Sequence, residues 1–347
     1  MKKNAIALII VVLIITLTGC ATPKQNELTV MVHDSFSVST SVIQEFEQQN
    51  HMTVKFIKNG DAGVILNEAI LTRNAPIADV LYGVDNSFLS RALNADLFIS
   101  YDSPELPNIP DAFKLDSQNR ELPVDFGDVC INYDKAWFSI HDLSIPTELE
   151  DLVKPEYKDL LVVENPGVSS PGLAFLLATI AHYGDPGYLV YWKALRDNGV
   201  LVVNDWTTAY YTNFSGSSGK GAQPMVVSYA SSPAAEVIYA TPEPSTAPTG
   251  SILGKDTCFR QIEFVGILKG TKNLTLAHKF VDFMLGKTFQ EDVPLQMFVY
   301  PVNSTAALPK VFIQYAQIAP EPAQMDPATV AENRDRWITD WTNAVIK

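Results

Sequence analysis

Residues that bind metals or act as nucleophiles are scarce in this 347-residue chain, which has three cysteines and five histidines. His33, His51, His141, His182 and His278 form no His-x-x-x-His pair, and none stands beside a cysteine cluster, so the spacing of a zinc hydrolase is missing. There is no Gly-x-Ser-x-Gly elbow and no Gly-x-Gly-x-x-Gly fingerprint. Gly219-Lys220 lacks the Ser or Thr and the spacing of a phosphate loop. Positive charge is short as well: 25 Lys and Arg face 39 Asp and Glu, a net charge of -14 with no basic run, which excludes a nucleic-acid binder. Charged residues make up 18% and hydrophobic ones 47%, which excludes disorder and supplies core for two lobes.

Long apolar runs are missing except one. Lys2 and Lys3 precede Ala5 to Ile15, too short to cross a hydrocarbon layer that needs about 20 residues, and Thr16-Leu-Thr-Gly-Cys20 follows. The order basic, apolar, small is that of a secretion signal. Leu17-Thr-Gly-Cys20 resembles the bacterial lipobox, which implies residues 1–19 as a signal peptide, acylation of Cys20 as a membrane anchor, and 20–27 as a polar tether. Removing residues 1–19 takes away two lysines and no acid, so -14 becomes -16. In an oxidising compartment thiols tend to pair; for Cys130 and Cys258 a disulfide and two buried free thiols both stay open.

The rest alternates between strand and helix patterns. Leu28 to Val32, a helical stretch from Val42 to Gln49 and Met52 to Ile57 read as a β-α-β unit, and Val64 to Thr72 with Ile77 to Gly83 extends it. Such alternation implies an α/β fold with a parallel sheet under helices. Strand-like crossings near Val124 to Tyr133 and Cys258 to Leu268 divide it into lobe one, 28–125 plus 262–347, and lobe two, 126–261, with a ligand cleft between lobes joined by hinge strands. Ser169-Ser170-Pro171 and Ser231-Ser232-Pro233 are helix starts, because Pro fits the first turn and Ser caps free amides.

Several segments recur in an order that can be named. Leu28 to Phe36 with His33 and Asp34, Asp61-Ala62 opening a helix, Ala78 to Asn86, Val124 to Asp128, Ser169 to Leu173, Asp205-Trp206 to Tyr210, Ser228-Tyr229-Ala230-Ser231-Ser232-Pro233 and Tyr300-Pro-Val302 together resemble the thiamine-binding periplasmic proteins of ABC transporters. The resemblance implies a two-lobed periplasmic-binding-protein fold of type II-like form, no enzymatic activity, no cofactor and no bound metal. It also implies a monomer that delivers thiamine, or its mono- or pyrophosphate, to a membrane permease. By the same resemblance ligand contacts fall at Asp61, Ala62, Ser169, Ser170, Trp206 and Tyr229 to Ser232. His33 and Phe298 stand where the family commonly has Tyr and Trp, and Ala235 replaces a further Tyr.

The residue chemistry agrees. A cationic thiazolium and a flat aminopyrimidine call for aromatic faces such as Trp206, Tyr229 and Phe298, and for a carboxylate from Asp61 or Asp34. Ser169-Ser170 and Ser231-Ser232 before helices suit hydroxyl or phosphate oxygens. Each has a plainer reading: Trp206 as core, and the serines and Asp61 as helix caps. Tyr210-Tyr211 resembles the tandem tyrosines of ferric-ion-binding proteins, although adjacent residues on an α-helix point about 100° apart. A polyamine as ligand, and a surface adhesion or scaffold lipoprotein outside transport, are the remaining alternatives.

Overall fold

The computed structural model describes residues 26–218, 220–242 and 244–347, so the expected signal peptide, Cys20 and most of the expected tether lie outside the described residues. Among the described residues eleven strands form one sheet: β1 Asn26–Val32, β2 Met52–Lys58, β3 Val80–Asp85, β4 Phe98–Ile99, β5 Glu121–Asp134, β6 Leu161–Glu164, β7 Leu201–Val203, β8 Met225–Tyr229, β9 Thr249–Ile252, β10 Phe259–Leu268 and β11 Tyr300–Pro301. The main path runs β2-β1-β3-β10-β5-β8-β6-β7. Strand β1 begins at Asn26, within the 20–27 segment expected as tether.

The outer parts of the sheet are parallel, β2-β1-β3 on one side and β8-β6-β7 on the other. The middle is antiparallel. There the two longest strands, β5 and β10, lie side by side with Asp125 opposite Glu263 and a bulge between Glu263 and Phe264. The first part of β5 pairs only with β10 and β11, and its far end pairs with β8 and β9. These two strands therefore join the two parallel units, as an interleaved two-lobed chain requires. The structure joins Cys130 and Cys258 in a disulfide, one residue beyond the Val129–Phe259 pair of that ladder.

Helix Ser170–Tyr183 is apolar on every side, and Ser170 through Thr179 and Ile180 are all buried, as expected of a helix wrapped by other elements. Its core continues through Leu81, Val84 and Phe88 on one side and Trp192 and Trp341 on the other. A second cluster packs helix Leu274–Leu285 against β1 and β3. The terminal helix Pro327–Val345, grouped with lobe one in the sequence reading, packs mainly on helix Gly187–Asp197 of the other unit. Trp341 meets Trp192 edge-on at 5.4 Å, and Arg196 donates to the Ala344 carbonyl at 2.6 Å. It reaches back to the first unit through Arg334, whose guanidinium lies 4.3 Å from the Phe88 ring. Among the described residues no helix is long and apolar enough to cross a membrane.

Candidate functional site

A cavity of about 330 Å³ lies between the two units, against the ends of β1, β8 and the middle of β10. Its wall includes nine of the residues singled out in the sequence: His33, Asp34, Asp61, Ala62, Ser170, Trp206, Tyr229, Ser232 and Phe298. Ser169, Ala230 and Ser231 are not in the wall. Ser169 lies behind Asp61, Ala230 packs with the Cys130–Cys258 pair, and Ser231 is buried at the start of helix Ser232–Ile238.

The plain reading of these residues as helix caps does not hold. Asp61, Ser169 and Ser231 occupy cap positions, yet none makes a side-chain cap bond, whereas Asp134 and Asp326 do so for their own helices. The Asp61 carboxylate instead accepts from Ser169 Oγ at 2.6 Å and from the Trp206 backbone N–H at 3.1 Å, gathering three segments from both units. Burial pushes its pKa up to about 6; the Ser169 and Trp206 bonds hold it from rising further, and the charges of Asp205 and Asp34 add to the rise. Ser170 Oγ donates to buried Asp85, which also takes the Ser87 and Phe88 amides. The serine hydroxyls before helix Ser170–Tyr183 are therefore committed to carboxylates.

One wall is aromatic. Trp206 stacks on Tyr210 with ring centroids 5.0 Å apart, and its indole N–H donates to Ser228 Oγ at 3.0 Å. Ser228 is in turn bonded to Ser232 at 2.9 Å. Tyr211 meets Trp206 edge-on at 5.5 Å. Both tyrosines line the cavity although they are adjacent, and Thr208–Asn213, which carries them, is a π-helical turn, wider than an α-helix. Tyr229 sits at the end of β8 over Gly127, where a Cβ would come within 2.7 Å of its ring. Phe298 enters from a left-handed backbone, φ 58°, a strained conformation for an aromatic residue, and its ring meets Tyr239 edge-on.

The opposite wall is polar. His33 follows β1 and fills the space above Gly83, where φ is 106° and a Cβ would come within 2.4 Å of the imidazole. Glu263 Oε1 lies 3.5 Å from His33 Nε2, but this is not an ion pair. Burial, with Lys58 nearby, lowers His33 to about 4. Burial, reinforced by the facing Asp125 carboxyl, pushes Glu263 well up. Below them Tyr82 O–H lies 2.6 Å from Asp125 and 3.0 Å from Glu263. Burial raises Asp125 to about 7 against the bonds from Tyr82 and Glu263.

Glu263, Lys58, Tyr239 and Met297 are wall residues without a ligand role in the sequence reading, and Tyr210 and Tyr211, also in the wall, had one only in the ferric-ion alternative. A signal existed for Glu263: a lone carboxylate inside the apolar run Ile262 to Leu268 has to be buried. Among the described residues no group of three or more His, Cys, Asp or Glu is placed to hold a metal.

The family model for bacterial extracellular solute-binding proteins matches residues 75–318. The chain is 30% identical over 335 residues to the thiamine-binding periplasmic protein of Salmonella typhimurium, covering 94% of this chain and 97% of that one. It is 29% identical over 325 residues to the thiamine-binding periplasmic protein of Escherichia coli, with 92% and 94% covered. A solved structure described as a periplasmic thiamin binding protein superposes with a TM-score of 0.79 at 26% identity, over 92% of this chain and 96% of that chain. The fold is thus the α/β, type II-like fold of two-lobed periplasmic binding proteins. With the matched segment running from before β3 to beyond β11, most of the sheet, this chain belongs to the bacterial extracellular solute-binding proteins.

Proposed function

We propose that this protein is the extracytoplasmic, lipid-anchored binding component of an ABC importer, a non-enzymatic monomer that captures thiamine or one of its phosphates between its lobes and delivers it to a permease. The observation that carries the reading is Asp61 beside the Trp206–Tyr210 stack at one cavity. Two donors hold Asp61 toward its ionised form above a pKa of about 6. An ionised carboxylate next to aromatic faces suits a flat cation; a cation–π contact contributes about 0.5–2 kcal/mol, more where water is excluded. Two helices, Ala62–Leu71 and Ser170–Tyr183, begin at the cavity wall, and their positive ends suit an oxygen-rich tail on the ligand. The names of the relatives point the same way.

Ferric ion fits less well. Tyr210 donates its phenolic proton to Glu236 at 2.9 Å, and burial together with that carboxylate pushes its pKa well above 10, which opposes the phenolate that iron needs. Titration calorimetry with thiamine, its mono- and pyrophosphate, putrescine and ferric ion separates the readings. At least one thiamine form is expected to bind with a dissociation constant below about 10 μM. Absence of binding by all three overturns the proposal, and a phenolate-to-iron absorption band on ferric addition replaces it.

A further inference from the structure

Behind the cavity the two units touch through residues that do not line it. Helix Ala62–Leu71 of the first unit begins against the 165–169 loop of the second, where the Gly63 N–H donates to the Val168 carbonyl at 3.1 Å. Gly63 is buried, and neither residue is in the cavity wall. The first four N–H groups of a helix find no partner within it, so the Gly63 amide is satisfied from across the boundary between the units. So close an approach needs glycine. A Cβ at Gly63 would lie 2.8 Å from the Val168 carbonyl oxygen, 2.9 Å from Val168 Cα and 3.0 Å from the edge of the Phe88 ring.

Phe88 completes this contact from the first unit, just before helix Leu89–Asn94. The Arg334 guanidinium lies over its ring, and Arg334 belongs to the terminal helix Pro327–Val345. That helix is fastened to the second unit by Trp341 on Trp192 and by Arg196 on the Ala344 carbonyl. Its Ile338 also backs the 165–169 loop, within 3.5 Å of where a Cβ on Gly167 would lie. Arg334 therefore reaches from one unit to the other. It is a costly residue for the fold, being 4% exposed with Nε and Nη2 lacking any hydrogen-bond partner among the described residues; Nη1 meets Asp335 at 2.6 Å. An apolar side chain of similar length often serves a fold as well as such a buried charge, or better. What an apolar chain would not supply is the cation–π contact to Phe88 across the boundary.

We infer that Gly63 and Arg334 are positioning residues for capture: with Val168 and Phe88 they form a seat, away from the ligand, on which the two units come to rest and which sets how tightly the cavity closes. This rests on the reading of the cavity as a capture site between units that move. The units are joined through β5 and β10, so bending there changes the gap between Gly63 and Val168. Asp61 lies two residues before Gly63 at the same helix start, so a seat held apart also draws Asp61 from Ser169 and Trp206. Apparent affinity scales with the fraction of molecules that reach the closed arrangement. A fault in the seat leaves the ligand's own contacts in place and shows in its departure.

The full mature protein is tested with thiamine, using calorimetry for affinity, stopped-flow tryptophan fluorescence for rates and thermal melting for the fold. Gly63→Ala should weaken thiamine by about tenfold, nearly all of it as faster dissociation, with association within about twofold of wild type. Gly167→Ala, in the facing loop, meets the Asn165 side chain at 3.3 Å and Ile338 at 3.5 Å and should bind as wild type does. Arg334→Met should bind about fivefold more weakly, again through dissociation, with a melting temperature unchanged or higher. A residue that serves the fold alone would do the reverse, lowering the melting temperature and leaving the dissociation rate as it was. The seat is also read without ligand, by hydrogen exchange at the Gly63 amide, which should be slow in wild type and about tenfold faster in Arg334→Met. Wild-type dissociation rates in both Gly63→Ala and Arg334→Met overturn the proposal, and so does equal Gly63 exchange in wild type and Arg334→Met. If wild type binds no thiamine form, the thiamine reading itself has failed, and the Gly63 exchange alone decides the seat.

Discussion

The two walls of the cavity are built on opposite principles. The wall from β8 and the π-helical turn is aromatic and internally satisfied: Trp206 lies against Tyr210, its N–H is taken by Ser228, and Ser228 by Ser232. The wall from β1 and β10 has buried titratable groups tied to their neighbours, His33 through Nδ1 to Ser35 and Glu263 to the Tyr82 hydroxyl. Shape is thus preset on one side, where rings offer area at small conformational cost, and charge is withheld on the other, where burial disfavours the ionised forms of His33 and Glu263. Asp61 belongs to neither wall alone, because its two donors come from the second unit while its backbone opens a helix of the first.

Four changes break or sharpen that contrast. The largest effect is expected from Trp206→Ala, which removes the aromatic floor: thiamine affinity measured by calorimetry should fall about thirtyfold, roughly 2 kcal/mol, with the melting temperature changing by only a few degrees. Gly83→Ala attacks the polar wall from behind. A Cβ there meets the His33 imidazole, so affinity should drop about tenfold and the fold should lose about 1 kcal/mol or more, read by denaturant unfolding. Replacement that leaves both affinity and stability intact would show that His33 is not positioned by this glycine.

The third change concerns protons. A cation competes with a proton for Asp61, whose pKa is raised to about 6, so thiamine affinity should weaken severalfold as pH falls from 7.5 to 5. Asp61→Asn should bind more weakly at pH 7.5 and lose that pH dependence. The smallest effect is expected at Asp125. Its pKa is raised to about 7 by burial, so the folded state holds the proton more tightly than the unfolded chain, and the stability this gives at low pH is lost as pH rises through about 7. Asp125→Asn never ionises. Its melting temperature relative to wild type should therefore be higher at pH 8 than at pH 5 by a few degrees, while a constant difference would mean that Asp125 does not titrate in this range. The opposite contribution of His33, lowered to about 4, cancels in the comparison because both proteins carry it.

The elements that were legible in the sequence are those with local signals. The helical stretch from Val42 to Gln49 lies within helix Thr40–Asn50, and the strand patterns at Leu28 and Met52 are β1 and β2. Trp206 and Tyr229 were legible only through the order of neighbouring segments, since a single aromatic carries no address. What was hidden depends on distant residues. The capping rule pointed to Ser169 and Asp61 as ordinary helix starts, and it takes the approach of segments 108 positions apart to turn them toward each other. Tyr210 and Tyr211 share the cavity on a turn that widens to a π-helix, which no spacing rule for an α-helix predicts. Glu263 could have been flagged as a buried carboxylate, but its partner Asp125 is set by the register of two strands far apart in the chain.

That register has a mechanical side. The disulfide staples β5 to the start of β10, and five residues further along β10 the ladder is broken by a bulge. A pair of strands clamped at one end and interrupted partway has its compliance at the interruption. Bending between the two units therefore costs least beside Glu263 and Asp125, which face each other where the ladder is interrupted.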